Sequence, residues 1–320
     1  MMPDAVARRL SLVTALVVIG AGWGLTTPLT KIAVSEGYRH FGLIFWQLVI
    51  TGALLTAVTR LRGRRVPLSR ADFRVYLLIA VIGTILPNSA SYAAAVELPA
   101  GVLAILLSTV PLFAFPVAIA LGNDSFGWTR ALGLLFGLGC VWLIVGPDAS
   151  LPDPAMAAFI PLALIAPFFY GLEGNVVARF GANGLDPVQM LAGASLVGVP
   201  IALTLALVTG QWIDPRGPWG APDAALAASA VVHGIVYAGY FWLVAQAGPV
   251  FAAQVSYLVT GFGVAWSITL LGESYSPYIW AALALMLVGV FLVQPRPRIA
   301  LAPLPPIGKN ASQREWDSQV

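Results

Sequence analysis

Apolar residues in this chain come neither in strict alternation nor in narrow stripes. They come in long continuous runs separated by short stretches rich in Pro, Gly and charge. A helix needs about 20 apolar residues to cross the hydrocarbon core, within a range of roughly 17 to 25. Ten runs fit: 10–32, 41–59, 74–96, 100–121, 127–146, 156–178, 187–209, 224–246, 250–271 and 277–294. In lipid only a helix satisfies its backbone within one segment, so unbroken runs predict helices, not β-barrel strands. The expected fold class is an all-α integral membrane protein with ten transmembrane helices. Arg8-Arg9 followed by an apolar stretch has the outline of a signal peptide. The run continues through Trp23 towards Lys31 without a small-x-small cleavage site, so an uncleaved first helix is expected.

The pattern repeats. Shifted by 148 residues, Tyr92 meets Tyr240, and Val96, Val102, Ala104 and Ser108 meet Val244, Val250, Ala252 and Ser256. A shift of 150 brings Leu121-Gly122 onto Leu271-Gly272 and Gly139 onto Gly289. In each copy one apolar run enters a short turn, Glu97-Leu98-Pro99 or Ala247-Gly248-Pro249, and a second leaves it. The expected organisation is a first repeat over 1–148 (helices 1–5), a second over 149–295 (helices 6–10), and a Pro-rich disordered tail over 296–320. Five helices is an odd number, so the second copy must enter the membrane from the opposite side. Inverted repeats of this kind recur in secondary transporters, with the binding site near the midplane between the halves.

Composition agrees with the pattern. The chain is 59% hydrophobic and 10% charged, with mean hydropathy +0.86, where a soluble domain carries roughly 25% charged residues. Lys and Arg mark cytoplasmic loops. Arg60, Arg62, Arg64, Arg65, Arg70 and Arg74 follow the second span, and alternation from there puts every other basic residue inside except Lys31, Arg39 and Arg216. Both termini are thus expected in the cytoplasm. With this bias the pI near 9.2 needs no nucleic-acid partner. One Cys and two His leave no multi-cysteine metal site and little metal chemistry, so no metal, cofactor or catalytic group is expected. The longest outer loop, about 210–223, reads as a turn-rich cap with interfacial Trp residues.

The ordered set of motifs resembles the drug/metabolite transporter superfamily, in its EamA-type branch of ten-helix carriers. Trp23-Gly24 and then Lys31 are similar to that family's opening, Tyr170-Gly171 and then Arg179 are a looser echo, and Leu271-Gly272-Glu273 resembles its Gly-Glu ending. The likeness covers about residues 10–294. Gly122-Asn123-Asp124 stands where Gly-Glu is usual, Gln47 where an arginine is often found, and Glu173 and His233 are not family hallmarks. The resemblance implies a multi-pass carrier of the bacterial inner (plasma) membrane, often an exporter of amino acids or other small metabolites.

A few intramembrane polar residues are the candidate site. Glu173 is the one acid placed well inside a span, about 9 Å of helix from Arg179. An ionisable group at that depth faces a cavity or a partner, so Glu173 is a candidate proton-coupling site or counter-ion for a substrate ammonium. The alternative is a carboxylate hydrogen-bonded to neighbouring helices. His233 with Gly234 and Tyr237 forms a small-plus-polar face, suited to gating or to interhelical bonding. Asn88, Ser89 and Tyr92 share a side of helix 3 behind Pro87, and Gln47, Asn175, Gln254 and Tyr257 are candidates to join them. Trp23, between Gly22 and Gly24, makes an aromatic wall with Tyr92, Tyr237 and Tyr257 that could stack on a cation. The substrate-binding candidates are thus Trp23, Gln47, Asn88, Tyr92, Glu173, His233, Tyr237, Gln254 and Tyr257. Lys31, Glu173 and Arg179 are the gating and coupling candidates. Helices 5 and 10, with Gly133, Gly137, Gly139 and Gly289, read as scaffold or a homodimer contact.

The expected partners are a small-molecule substrate and the lipid bilayer. The leading expectation is a secondary transporter, most simply an amino-acid exporter. The alternative is a proton-coupled exporter of lipophilic cations with Glu173 as the exchanging carboxylate. No Gly-x-x-x-x-Gly-Lys-Ser/Thr loop occurs, so ATP is not the direct drive. A membrane-embedded enzyme would need acid pairs or His–acid sets that two scattered His and one intramembrane acid do not supply.

Overall fold

The computed structural model describes residues 2–293 apart from residues 248 and 253. The helices are α1 (Met2–Val34), α2 (His40–Leu61), α3 (Arg70–Glu97), α4 (Ala100–Ala120), α5 (Trp128–Val145), α6 (Pro154–Phe180), α7 (Pro187–Val208), α8 (Ala221–Ala247), α9 (Val255–Leu271, preceded by the turn Pro249–Ala252) and α10 (Pro277–Val293). No strand occurs among the described residues. The first eight are long and apolar enough to cross a membrane. The last two are apolar but 17 residues each, at the short end for a span. The expected tail over 296–320, residue 294 and Gly248 lie outside the described residues.

Local chemistry sets the helix ends. Ser69 and Asp72 form a reciprocal capping box that starts α3 at Arg70, four residues earlier than the apolar run predicts. Asp186 and Gln189 do the same for α7, and Asp153 accepts from the Ala155 N–H where α6 opens in a 3₁₀ turn. The charge of Asp186 is also met by Arg64 at 2.7 Å and Arg62 at 3.6 Å, which ties the arginine loop to α7. The loop after α7 folds back onto α2. Trp46 Nε1 donates to Ile213 O at 3.0 Å, and Trp212, itself still exposed, lies 5.4 Å from the Phe45 ring, while Trp219 is more exposed still.

Two helices are irregular where the chain forces it. α3 widens into a π-helical turn over Ile79–Ile85, ahead of Pro87. Proline has no N–H for the carbonyl of residue 83 and its ring crowds that carbonyl in an α-helix; widening relieves the conflict. α4 is interrupted at Ser108-Thr109, between Ala100–Leu107 and Val110–Ala120, with Pro111 just after the break. α9 has its break in the corresponding place, before Val255.

α1 packs against α8 and α9, and α6 against α3 and α4. α2 lies on α7 and α8, α3 touches α7, and α4 touches α9. α5 and α10 form a separate pair in which a Cβ on Gly289 would lie 3.0 Å from the Gly133 carbonyl oxygen. The glycine seam is therefore closed within the chain, as scaffold. The outward faces of this pair carry Leu135, Leu138, Trp142 and Phe291, each more than 60% exposed. Apolar side chains turned out on helices of this length are what a bilayer covers, since lipid costs them nothing that water would.

Candidate functional site

A cavity of about 620 Å³ lies among α1, α2, α3, α4, α6, α7, α8 and α9; α5 and α10 contribute nothing to its wall. That is within the usual 300–1,000 Å³ of small-molecule sites. Its wall places seven of the nine substrate-binding candidates together: Trp23, Gln47, Asn88, Tyr92, Glu173, His233 and Tyr237.

Four polar residues are held in a chain across three helices, α2, α3 and α6. Gln47 Oε1 accepts from Asn88 Nδ2 at 3.1 Å and from the Tyr92 hydroxyl at 2.8 Å. Asn88 Oδ1 accepts in turn from the Tyr170 hydroxyl at 2.7 Å. These bonds fix the Gln47, Asn88 and Tyr92 side chains in place, so this wall is a preorganised neutral surface. Opposite it stands an aromatic corner. The Trp23 ring meets His233 at 6.0 Å and Tyr240 at 5.8 Å, both edge-on, and Tyr237 lies 6.2 Å from His233. The glycines beside Trp23 serve helix packing: a Cβ on Gly22 would meet Val236 of α8, and one on Gly24 would meet the backbone of Gly263 and Val259 in α9. Close approach here is by helices, and it turns the indole into the cavity.

Among the described residues Glu173 is the only Asp, Glu, Lys or Arg in the wall. Its carboxylate accepts no hydrogen bond and makes no ion pair among the described residues. It rests against Gly83 in the π-helical turn of α3. Ser195 is a second unpaired group: 1% exposed, without a hydrogen-bond partner, and part of the same wall.

Other candidates lie elsewhere. Gln254 is exposed at the start of α9 and outside the cavity wall, because the break before Val255 rotates it away. Tyr257 also lies outside the wall; its ring packs on the main apolar core and its hydroxyl is buried without a partner. Ser89 back-bonds to Ile85 O at 2.6 Å, and Ser91 takes its place at the cavity. Asn175 is interhelical, donating to Ala114 O at 3.0 Å and Gly171 O at 2.8 Å. Lys31 Nζ donates to Ala95 O and Val96 O at 2.8 and 2.9 Å, at the end of α3. Arg179 is exposed, with no ion pair or hydrogen bond among the described residues.

The sequence reading missed the hydroxyls, among them Thr27, Thr30, Thr51, Ser195 and Ser229, and also Tyr170 and Tyr240. Helical spacing was the available signal. Ser229, His233, Tyr237 and Tyr240 fall on one stripe of α8, and Trp23, Thr27 and Thr30 on one stripe of α1.

Ten apolar helices around a mainly apolar cavity of metabolite size, set with a few polar side chains, are the build of a membrane transporter, with a lipid bilayer around it and a small molecule as cargo. The EamA-like transporter family matches residues 10–146 and again residues 158–294, and this chain belongs to that family. It is a multi-pass protein of the bacterial inner membrane. It is 26% identical over 296 residues to the uncharacterized inner membrane transporter YedA of Escherichia coli K12, covering 89% of this chain and 91% of that one. An uncharacterized transporter of Synechocystis, sll0355, is 24% identical over 220 residues, covering 61% of this chain and 64% of the relative. A protein of known crystal structure superposes with a TM-score of 0.62 at 16% identity, over 88% of this chain and 96% of that one, a likeness of fold.

Proposed function

We propose that the chain is an alternating-access carrier whose two five-helix repeats, 1–148 and 149–295, are inverted relative to each other, with both termini in the cytoplasm. Support comes from the packing. Exchanging α1–α5 with α6–α10 turns the pair α1·α8 into α6·α3, α1·α9 into α6·α4 and α2·α8 into α7·α3, while α2·α7, α4·α9 and α5·α10 map onto themselves. Each of these pairs is in contact. Two copies with one internal geometry can swap packings, and the swap moves the opening of the cavity from one side to the other.

The cargo that the wall suits best carries an ammonium or similar cationic group on an apolar or aromatic body. The observation behind this reading is the lone, unpaired Glu173 facing Trp23, Tyr170, Tyr237 and Tyr240 with no Lys or Arg among them. A buried charge without a partner costs several kcal/mol, so a proton and a cationic cargo compete to neutralise it, which couples export to a proton gradient. Amino acids are the second reading. The helix start at Val110, after the break in α4, lines the cavity beside Ser108 and Pro111, and a half-helix N-terminus is a seat for a substrate carboxylate.

Purified protein in liposomes with an imposed pH gradient tests both readings against matched panels of amines and amino acids. Glu173→Gln is expected to cut amine transport by more than about tenfold, as loss of a desolvated charge partner does, and to flatten its pH dependence. Amine transport that keeps its rate and pH profile in Glu173→Gln would remove Glu173 from the mechanism.

A further inference from the structure

Gly83 sits in the π-helical turn of α3 and belongs to the cavity wall. A Cβ built on it would lie 2.5 Å from Cδ and Oε1 of Glu173 and 2.6 Å from Oε2. All three atoms of the carboxylate therefore lie against the one point on α3 where a side chain is missing. These contacts involve the far end of a flexible side chain, with no backbone atom among the three nearest. An added methyl would displace the carboxylate and leave the helices where they are.

The shape of α3 makes this contact. Pro87 stands four residues after Gly83, and the widened turn that accommodates it is the segment that faces α6 at the level of Glu173. The seat offers the carboxylate no hydrogen bond among the described residues, so it holds the group by shape alone and leaves both oxygens free for a ligand.

We propose that Gly83 is a positioning residue: its bare Cα is the seat that keeps the Glu173 carboxylate at the cavity wall, where that group meets a proton or a cationic cargo. This rests on the reading of Glu173 as the charge-bearing group, and the test separates the two.

The probe is tetraphenylphosphonium, a permanent cation with an aromatic surface. Its binding to purified protein is followed by equilibrium dialysis across pH for the wild type, Gly83→Ala, Glu173→Gln, Glu173→Asp and the double variant Gly83→Ala/Glu173→Asp. Gly83→Ala is expected to melt within a few degrees of the wild type, to bind the probe at least about tenfold more weakly and to shift the pH midpoint of binding. Because aspartate is one methylene shorter, Gly83→Ala is expected to cost little further in the Glu173→Asp background, a non-additivity that marks direct contact. Wild-type affinity and pH midpoint in Gly83→Ala, with Glu173→Gln impaired, overturns the seat and leaves the carboxylate reading standing. An equal penalty in the Glu and Asp backgrounds also overturns it. Unimpaired binding by Glu173→Gln overturns the underlying reading.

Discussion

The two ends of the bundle are built from equivalent parts and treat them differently. At the end that carries the α3–α4 turn, α9 finishes at Gly272 in a left-handed conformation, φ +66°, and Glu273 reaches across to α4. Its carboxylate accepts from Ala100 N at 2.8 Å and Gly101 N at 3.1 Å, and the Tyr275 hydroxyl joins it by donating to Glu273 and accepting from Gly101 N. An acid on the first amides of a helix meets both the orphan donors and the positive end of the dipole. Lys31 closes over the neighbouring carbonyls of α3. At the arginine end, α4 finishes the same way at Gly122, φ +70°, yet the next residue is Asn123. It donates to Asn175 O at 2.8 Å on α6 instead of reaching α9, and Arg179 is exposed. At this equivalent position one end uses a carboxylate and the other a neutral amide, while the ion pairs of the arginine end, Arg62 and Arg64 with Asp186 and Arg130 with Asp124, lie away from it; on the proposed alternating-access reading, this is the arrangement closed at the turn end.

The sharpest way to break this comparison is Glu273→Ala. Hydrogen bonds to a charged acceptor contribute about 1.5–3 kcal/mol each, and a loss of that size shifts a two-state ratio by roughly 10- to 100-fold. The only native cysteine, Cys140, is fully buried, so a single reporter at Thr30→Cys can be labelled with an impermeant maleimide from the turn end. Its labelling rate is expected to rise at least about tenfold in Glu273→Ala. A rate equal to that of the parent shows that the Glu273 contacts seal nothing.

Asn123→Glu sharpens the comparison from the other side. It removes the amide that donates to Asn175 and supplies the carboxylate that the sealed end uses. Both changes favour closing the arginine end, which opens the turn end. Labelling at Thr30→Cys is expected to rise by about three- to tenfold, less than for Glu273→Ala because one neutral hydrogen bond of about 1 kcal/mol is lost. A fall in labelling would mean that the two sites do not stand in for each other.

Much of the helix set was legible in the sequence. Continuous apolar runs located all ten helices because hydrocarbon demands them, and the paired Leu-Gly of the sequence marks two left-handed helix ends, at Gly122 and Gly272. Seven cavity residues were legible because a polar or aromatic group inside a span has few other uses. Gln254 and Tyr257 lie outside this cavity's wall, next to a helix break before Val255 that the run of apolar residues does not reveal. Gly83 was invisible because its role is the absence of a side chain, and only the position of Glu173 on another helix shows what fills the space. The hydroxyls were passed over because a Ser or Thr can always bond its own helix, as Ser89 and Thr204 do, so sequence gives each two equal readings.

The smallest effects expected concern the two basic residues, and their inequality is the point. Lys31 and Arg179 close the first helices of their repeats and look interchangeable in sequence. Lys31→Met removes two bonds to the last carbonyls of α3 and is expected to lower the melting temperature by about 2–4 °C, the usual consequence of about 1 kcal/mol in a chain of this size. Arg179→Ala removes an exposed side chain that makes no hydrogen bond or ion pair among the described residues. Such changes fall within about 0.5 kcal/mol, so its melting temperature is expected to match the parent. Transport is where Arg179 is expected to count, since the swapped packing would bring it over the end of α8 as Lys31 now covers the end of α3. Equal thermal losses in the two variants would mean that both ends are closed at rest, whereas an unchanged transport rate in Arg179→Ala would leave the arginine end without the basic group that the turn end uses.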